Sequence, residues 1–517
     1  MKKRNLALNT AVASALLALI GSAQAVTVTA SPTLFARELL QGSTPNATAL
    51  TMPVINVVSA NGIPVNSTVF VYIKFSGASI ATSGAATTAI ANVVISNGDG
   101  SALAAGNIPG ATSFGTSTGT ANPTAAGSGV DYLVLQFVTG ATAVGIGGTI
   151  ATLTGATVNF ASSAISTPIT VVSSVGIGAP ATRFGALAAS SSSYDALSTA
   201  TTIATTAQAI TVSSAASTLS GLIDLTTTPA AAGFTIAPNA NAAVATNAIR
   251  LGTVTLANAA TAPNIATNAG SYTVATVVPA TGATFTVSAA AGFFAALGTT
   301  GRINLEATAG SCASTAAVAS GLQSPVFATA ALAAAATSVT LTSTATPSAA
   351  AYSVCMYLPT VSSTSIPLIA GTPSITGVLN RAVVTTDSAT NLASSNLYTL
   401  ALNGSQVDVR MYVPAAVTGY SSFIRVINTG SIAAPVSAQF INADGSIGTS
   451  GVLVATLPAG GSTTLSSTAI EAVLGAPVGG VSARPRLRIL APTTGLNIQN
   501  QLSNNATGVY TDFNGAQ

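Results

Sequence analysis

The sequence contains no histidine and no tryptophan, and charged residues make up only 5% of its 517 positions. Without histidine, the chain lacks the commonest general base of enzymes and the commonest nitrogen ligand of metal sites. Nucleic-acid binding requires clustered lysine and arginine, and only 14 basic residues are present in the whole chain. These absences argue against an enzyme, a histidine-type metalloprotein and a DNA-binding protein.

Acidic residues are also scarce, and no two of the eleven lie within twenty positions of each other. A calcium-binding loop needs several oxygen ligands at alternate positions of one segment, and the sequence contains no such loop. Acids brought together by tertiary folding, with backbone carbonyls completing the site, are the alternative. We therefore predict no metal site and no cofactor. The acids are Glu38, Asp99, Asp131, Asp195, Asp224, Glu306, Asp387, Asp408, Asp444, Glu471 and Asp512.

Serine and threonine are abundant, but a nucleophilic hydroxyl needs a neighbouring base. Beyond residue 25 the only basic residue other than arginine is Lys74, which lacks the Ser-x-x-Lys spacing. Lys74 could form an isopeptide bond with an asparagine, but an ordinary lysine on an edge strand is the favoured interpretation. We predict no catalytic residue.

Residues 1–25 have the three parts of a secretory signal peptide. Three bases lie within Met1–Asn5, a short apolar run covers Ala11–Ile20, and Ala23–Ala25 has the small-x-small pattern before a cleavage site. Cleavage between Ala25 and Val26 removes three of the fourteen bases and leaves eleven bases against eleven acids. The apolar run is shorter than the ~20 residues that span a bilayer, and no transmembrane helix is predicted after it.

Two cysteines, Cys312 and Cys355, are the only ones in the chain. An even pair in an exported protein predicts a disulfide, with two buried free thiols as the alternative. Closing a loop of about forty residues would stabilise the fold by roughly 4 kcal/mol on the entropic model.

Short runs rich in valine, isoleucine, threonine and aromatic residues alternate with glycine, proline, asparagine and serine throughout the chain. This pattern predicts an all-β protein built from several tandem β-sandwich (Ig-like) domains. Short helical turns are predicted around Leu34–Leu40 and Ile470–Leu474. The predicted strands include Val69–Phe75, Tyr132–Val138, Ile169–Val172, Ala209–Val212, Gly252–Leu256, Ser338–Thr342, Tyr352–Leu358, Ser421–Asn428, Pro435–Phe440, Val452–Leu457, Arg486–Leu490, Leu496–Gln499 and Val509–Phe513.

Composition shifts divide the exported chain into three parts. Residues 26–178 form a predicted N-terminal β-sandwich domain. Residues 179–380 form a middle β region rich in alanine, threonine and serine that contains both cysteines. Residues 381–517 form a C-terminal β-sandwich domain with the clearest alternation of polar and apolar residues.

One cluster of charge stands out, at Arg484, Arg486 and Arg488. Alternation places these side chains on one face of a strand, opposite Pro485, Leu487 and Ile489. Arginine binds phosphate and carboxylate groups bidentately, so the cluster could contact the anionic glycan of outer-membrane lipopolysaccharide. The alternative is a solvated strand face that discourages edge-to-edge aggregation.

The segment Phe423–Asn428 resembles the strand that opens a β-sandwich unit of exported proteobacterial surface proteins. In such units an Asp-Gly hairpin, an Ala-Gly turn, a Leu-Glu segment, an arginine-containing strand and a final hairpin follow. The matching segments here are Asp444-Gly445, Ala459-Gly460, Ile470-Glu471, Arg486–Leu490 and Gly508–Phe513.

The remainder of the exported chain resembles surface-layer proteins of Gram-negative bacteria, in the segments Phe35–Leu39, Tyr72–Phe75 and Ile223–Leu225, with Phe234 beyond them. Such layers are often acidic and tied by calcium, and the low acid count is a departure from that pattern. The resemblance implies a structural protein outside the outer membrane that assembles with itself into a two-dimensional layer. A secreted adhesin or fibre subunit that acts as a binding module is the alternative.

Overall fold

The structure is a computed structural model. It describes residues 25–40, 49–80, 93–95, 113–115, 132–154, 157–160, 167–177, 195, 197–218, 221–226, 233–235, 248–265, 269–298, 301–307, 312, 327–329, 336–359, 368–381, 390–442, 447–479 and 485–514. The chain divides into two compact units. The first comprises Met1–Ile210, Asn258–Val277 and Arg381–Ser388, and the second comprises Thr211–Ala257, Val278–Asn380 and Ala389–Gln517.

The described residues of the first unit form three sheets, with strand orders β1-β4-β10-β7, β3-β11-β6 and β2-β13-β12-β5-β9-β8. The strands are β1 (Thr27–Ala30), β2 (Thr33–Ala36), β3 (Ala49–Thr51), β4 (Ile55–Val58), β5 (Thr68–Ser76), β6 (Ala78–Ile80), β7 (Val93–Ile95), β8 (Ser113–Gly115), β9 (Tyr132–Val138), β10 (Thr149–Leu153), β11 (Thr157–Phe160), β12 (Ile169–Ile177) and β13 (Thr201–Ala207). A 3-10 turn at Arg37–Leu40 follows β2.

Strand β5 lies inside the six-stranded sheet, between β12 and β9. Its sequence has an almost unbroken run of apolar residues, as expected for a strand covered on both faces. Lys74 opposes Val172 on one neighbour and Tyr132 on the other. The interpretation of Lys74 as an edge-strand lysine is therefore wrong, because an apolar run marks burial but does not say where in a sheet a strand lies.

In the second unit, the part of the chain that the structure describes before residue 403 forms three sheets, ordered β14-β17-β22-β19, β16-β15-β25 and β20-β21-β18-β23-β24. Their strands are β14 (Ile210–Ala216), β15 (Leu222–Ile223), β16 (Phe234–Thr235), β17 (Ala248–Asn258), β18 (Ala283–Ser288), β19 (Arg302–Glu306), β20 (Phe327–Thr329), β21 (Ser338–Ser343), β22 (Ala351–Tyr357), β23 (Ser374–Leu379), β24 (Thr390–Asn396) and β25 (Ala401–Leu402). The helical segments among these residues are α1 (Val274–Val277) and a 3-10 turn at Ala295–Leu297.

The last part of the second unit is a β-sandwich of two four-stranded sheets, ordered β26-β31-β28-β29 and β30-β27-β32-β33. The elements are β26 (Ser405–Val409), β27 (Tyr420–Asn428), β28 (Ala434–Ile441), β29 (Gly451–Leu457), β30 (Ser462–Ser466), α2 (Ser467–Leu474), β31 (Arg486–Ala491), β32 (Leu496–Asn504) and β33 (Tyr510–Asn514). One core joins the two sheets, with Val436, Phe440 and Ile489 from the first packed with Ile424 and Val426 from the second.

The all-β prediction with short helical turns is confirmed, since sheets account for nearly all of the regular structure described. The predicted strands that lie in the C-terminal sandwich match observed ones to within a few residues, because alternation there is regular. The expected Asp444-Gly445 hairpin lies outside the described residues. None of the described helices is both long and apolar enough to cross a membrane.

The domain limits near 178 and 380 stay predictions, and strand pairing runs past both of them. Strand β13 lies beyond 178 but pairs with β12 and with β2 of the N-terminal sheet. Strand β24 lies beyond 380 but pairs with β23. The C-terminal sandwich itself begins at β26.

Candidate assembly surface

The predicted disulfide is present between Cys312 and Cys355, whose Cα atoms are 5.8 Å apart. Cys355 lies on β22, and both residues are completely buried in a cluster with Ala248 and Tyr357. The bond therefore ties Cys312 to a strand inside a sheet of the second unit.

The three clustered arginines are in different situations. Arg484 lies outside the described residues, Arg486 is exposed, and Arg488 is half-buried. Arg488 forms a bidentate ion pair with Asp408 on the adjacent strand β26, through contacts of 2.9 and 3.1 Å. Asp408 therefore neutralises the charge of Arg488 within the chain. Of the two arginines described on this strand, only Arg486 has no ion-pair partner among the described residues. The glycan contact stays a prediction.

A buried asparagine holds together three connections at one end of the C-terminal sandwich. The Asn428 side-chain amide donates to the carbonyls of Ile432, Leu457 and Pro458, at 2.8 to 3.2 Å. Its oxygen accepts from Gly430 N and from the Thr493 hydroxyl. Both the donor and the acceptor ends of this amide are used, which explains why the strand ends in asparagine.

Replacing Asn428 with aspartate is expected to lower the free energy of unfolding by about 3 kcal/mol, because a carboxylate oxygen would face three carbonyl oxygens. Denaturant unfolding followed by circular dichroism measures the effect. Asn497→Asp is the matched control, since Asn497 is exposed on β32 of the same sandwich. Equal stability of the two variants would contradict the role assigned to Asn428.

Buried Tyr412, in the segment before β27, forms hydrogen bonds to helix α2. The Tyr412 hydroxyl lies 3.1 Å from Glu471 Oε1 and from the Ser467 carbonyl, and Ala415 N donates to the same carboxylate. The helix begins at a Ser466 cap, whose side chain accepts from Ala469 N. Burial, and next the negative charge of Glu471, raise the pKa of Tyr412 well above its ordinary value.

This shift predicts a loss of stability at alkaline pH. Because the folded state holds the Tyr412 proton more tightly than the unfolded state, the contribution is complete below pH ~10 and is lost as the pH rises further. Above pH ~10, we expect Tyr412 to lower the free energy of unfolding by up to about 1.4 kcal/mol for each further pH unit. Unfolding measured from pH 8 to 11 should show a steeper decline for the native chain than for Tyr412→Phe. If the free energy of unfolding falls equally with pH in the native chain and in Tyr412→Phe, the role assigned to Tyr412 is wrong.

Two buried carboxylates act as clamps in the first unit, and no sequence pattern indicated either of them. Asp195 is completely buried and accepts from Ser59 Oγ, the amides of Ala60 and Asn61, and the Asn61 side chain. Glu38 accepts from the backbone amides of Ala209 and Ile210. Among the described residues, no group of three or more histidine, cysteine, aspartate or glutamate side chains is placed to hold a metal ion.

The sheet β30-β27-β32-β33 turns one face to the core and the other to solvent. Core residues Ile424, Val426 and Ile498 set the alternation, so the intervening side chains lie on what we term the outer face. The outer face comprises Ser421, Phe423, Arg425 and Ile427 of β27, Asn497, Gln499 and Gln501 of β32, Tyr510 and Asp512 of β33, and Ser462 and Thr464 of β30.

Uncharged polar groups dominate this surface. Its aromatic pair is Phe423 and Tyr510, with ring centroids 6.5 Å apart, and Tyr510 is 65% exposed. Arg425 is its one base and Asp512 its one acid, and both are exposed. A sheet face of this kind can pack against another protein while burying only one acid and one base.

The model of one protein family matches residues 69–508 of this chain, and the family is described as S-layer protein Slr4. This chain belongs to the S-layer protein Slr4 family. The Slr4-family match includes most of the first unit and the C-terminal sandwich as far as β32. The protein is accordingly a structural protein of the cell surface, as the resemblance implied. No curated protein matches the Slr4-family chain in sequence.

Two solved structures similar to the Slr4-family chain share less than 10% sequence identity with it. One is described as a biofilm-associated protein BSP domain, with 8% identity, a TM-score of 0.17, and coverage of 96% of this chain and 81% of that one. Another is a marsupial T cell receptor, with 6% identity, a TM-score of 0.17, and coverage of 95% and 99%. The all-β assignment rests on the strand pairing itself.

At the start of the described Slr4-family chain, Ala25 is exposed and Val26 is buried just before β1. Residues 1–24 lie outside the described residues. Cleavage between Ala25 and Val26 stays a prediction.

Proposed function

We propose that the mature chain begins at Val26 and lies outside an outer membrane, where it assembles with copies of itself into a two-dimensional layer. The observation that carries this proposal is the match to the S-layer protein Slr4 family over residues 69–508. The signal-peptide pattern of residues 1–25 supports export. The layer acts by covering the cell, and no catalytic residue is assigned.

The physical basis for assembly is the near absence of charge. The mature chain has eleven acids and eleven bases, so copies do not repel one another over long distances. Uncharged sheet faces can then associate over broad areas at little desolvation cost. Contacts between different surfaces of successive copies generate open arrays rather than closed oligomers.

Purified mature protein, concentrated slowly and imaged by negative-stain electron microscopy, tests this proposal. We expect extended sheets with a regular repeat, whose diffraction pattern gives the unit cell. N-terminal sequencing of protein released from the cell surface should begin at Val26. Protein that stays monomeric at high concentration, or that keeps residues 1–25 on the cell surface, would contradict the proposal.

Attachment of the layer to an anionic outer-membrane glycan is proposed through Arg484 and Arg486, since Asp408 already satisfies Arg488. Replacing both with glutamate is expected to release the layer from cells without dissolving it. Arg410→Glu is the control, because Arg410 is also exposed. Retention of the layer by the double variant, measured as protein in the cell pellet, would exclude this contact.

A further inference from the structure

The outer face of the C-terminal sandwich carries a single acid and a single base that do not pair with each other. Arg425 donates to Ser462 Oγ on β30, which lies on the side of β27 away from β33. Within the described residues, the one ion pair joins Arg488 and Asp408. The face therefore has zero net charge but two unpaired charges of opposite sign.

The strand register fixes where these two charges lie. Arg425 opposes Gln499 on β32, whereas Asp512 opposes Gln501. Two strand spacings and a two-residue offset place the Cα atoms about 12 Å apart. The midpoint between them falls on β32, between Gln499 and Gln501.

We infer that the outer face binds the outer face of a second copy of this chain around a two-fold axis. The axis would lie in the interface, perpendicular to the Arg425–Asp512 line and through its midpoint. Rotation about it brings Arg425 of each copy opposite Asp512 of the other, so two equivalent ion pairs form. A two-fold contact of this kind requires a self-complementary surface, and the single acid and base supply one.

The residues near the axis suit a self-contact. Gln499 and Gln501 carry side-chain amides with both donors and acceptors, so each can bond the same residue type on the partner. Tyr510 adds an exposed aromatic ring of the kind enriched at interfaces. Four strands give a face of a few hundred Å² per copy, at the small end of specific interfaces. It therefore fits one of several contacts in a lattice, and the inference rests on the proposed function.

Charge reversal tests the pairing directly. Arg425→Asp and Asp512→Arg would each place like charges at both contacts, and each variant alone is expected to need about 30-fold more protein to assemble. An equimolar mixture should assemble as the native chain does. When one variant contacts the other, the two substituted side chains form a reversed ion pair at one contact, and the unsubstituted Asp512 and Arg425 form the native pair at the second.

The measurement is the critical concentration at which full-length mature protein sediments as assembled sheets. Arg410→Asp, which replaces an exposed arginine just after β26 of the other sheet, is the control and should leave that concentration unchanged. Thermal unfolding of each variant verifies that the fold is intact. Native-like assembly by the single variants, or a mixture as impaired as its parents, would overturn the two-fold contact. Failure of the native chain itself to assemble would contradict the proposed function instead.

Discussion

Replacing Asp195 with alanine is expected to lower the free energy of unfolding of the first unit by about 4 kcal/mol. The substitution removes a carboxylate that accepts four hydrogen bonds. Their donors are the Ser59 hydroxyl, the backbone amides of Ala60 and Asn61, and the Asn61 side chain. Asp195 and Ser59 are completely buried, so water cannot replace the acceptor that the Ser59 hydroxyl loses. The segment that follows β4 would then lose its attachment to β12, which Asp195 also contacts through its backbone.

Hydrogen exchange of the full-length chain measures this effect in the first unit separately from the second. Amides of β4 and β12 should exchange faster in Asp195→Ala, whereas those of β27 and β32 should be unchanged. Asp195→Asn should have an intermediate effect, because it retains one acceptor oxygen. Asp512→Ala, which removes an exposed carboxylate, is the matched control. Unchanged exchange rates of the β4 and β12 amides in Asp195→Ala would show that the Asp195 carboxylate does not stabilise the first unit.

Loss of the disulfide has a comparable expected effect, in the second unit. The double variant Cys312→Ala/Cys355→Ala should unfold with a free energy about 4 kcal/mol lower, because the bond closes a long loop in the unfolded chain. The sequence separation of the two cysteines is 43 residues. Removal of both sulfurs from a fully buried cluster adds a packing cost of the same sign.

Reduction separates the contribution of the bond from that of packing. Treatment with a phosphine reductant under denaturing conditions should destabilise the native protein and leave the double variant unaffected. Denaturant midpoints measured with and without reductant provide the comparison. If the native protein has the same midpoint in both conditions, the disulfide does not stabilise the second unit.

Features with a local signal could be predicted from the sequence. Strand β27 was predictable because Ile424 and Val426 alternate with Phe423 and Arg425, and such alternation determines which face is buried. The disulfide was predictable because only one pairing of two cysteines exists. The position of the strand depends on nearby residues alone, and the pairing of the cysteines depends on composition alone.

Features that depend on distant partners could not be predicted. Asp195 and Ser59 are 136 residues apart, and no spacing rule links a carboxylate to amides so far away in the chain. The same applies to Arg488, which alternation placed correctly on a polar face, while its partner Asp408 is 80 residues earlier. The extent of each sheet was also unpredictable, since β13 and β24 pair across the expected domain limits.

The few charges of this protein therefore serve different purposes. Asp195 and Glu38 are buried and hold the first unit together, Asp408 and Arg488 neutralise each other, and Arg425 and Asp512 remain exposed on a sheet face. A chain with so few charged residues leaves most of its surface free for contact with other copies. This distribution suits a structural layer.

Electron cryotomography of whole cells, with and without the gene, tests the surface-layer assignment most directly. The account predicts a periodic coat outside the outer membrane that disappears on deletion and returns when the gene is restored. A cell envelope that is identical with and without the gene would contradict it.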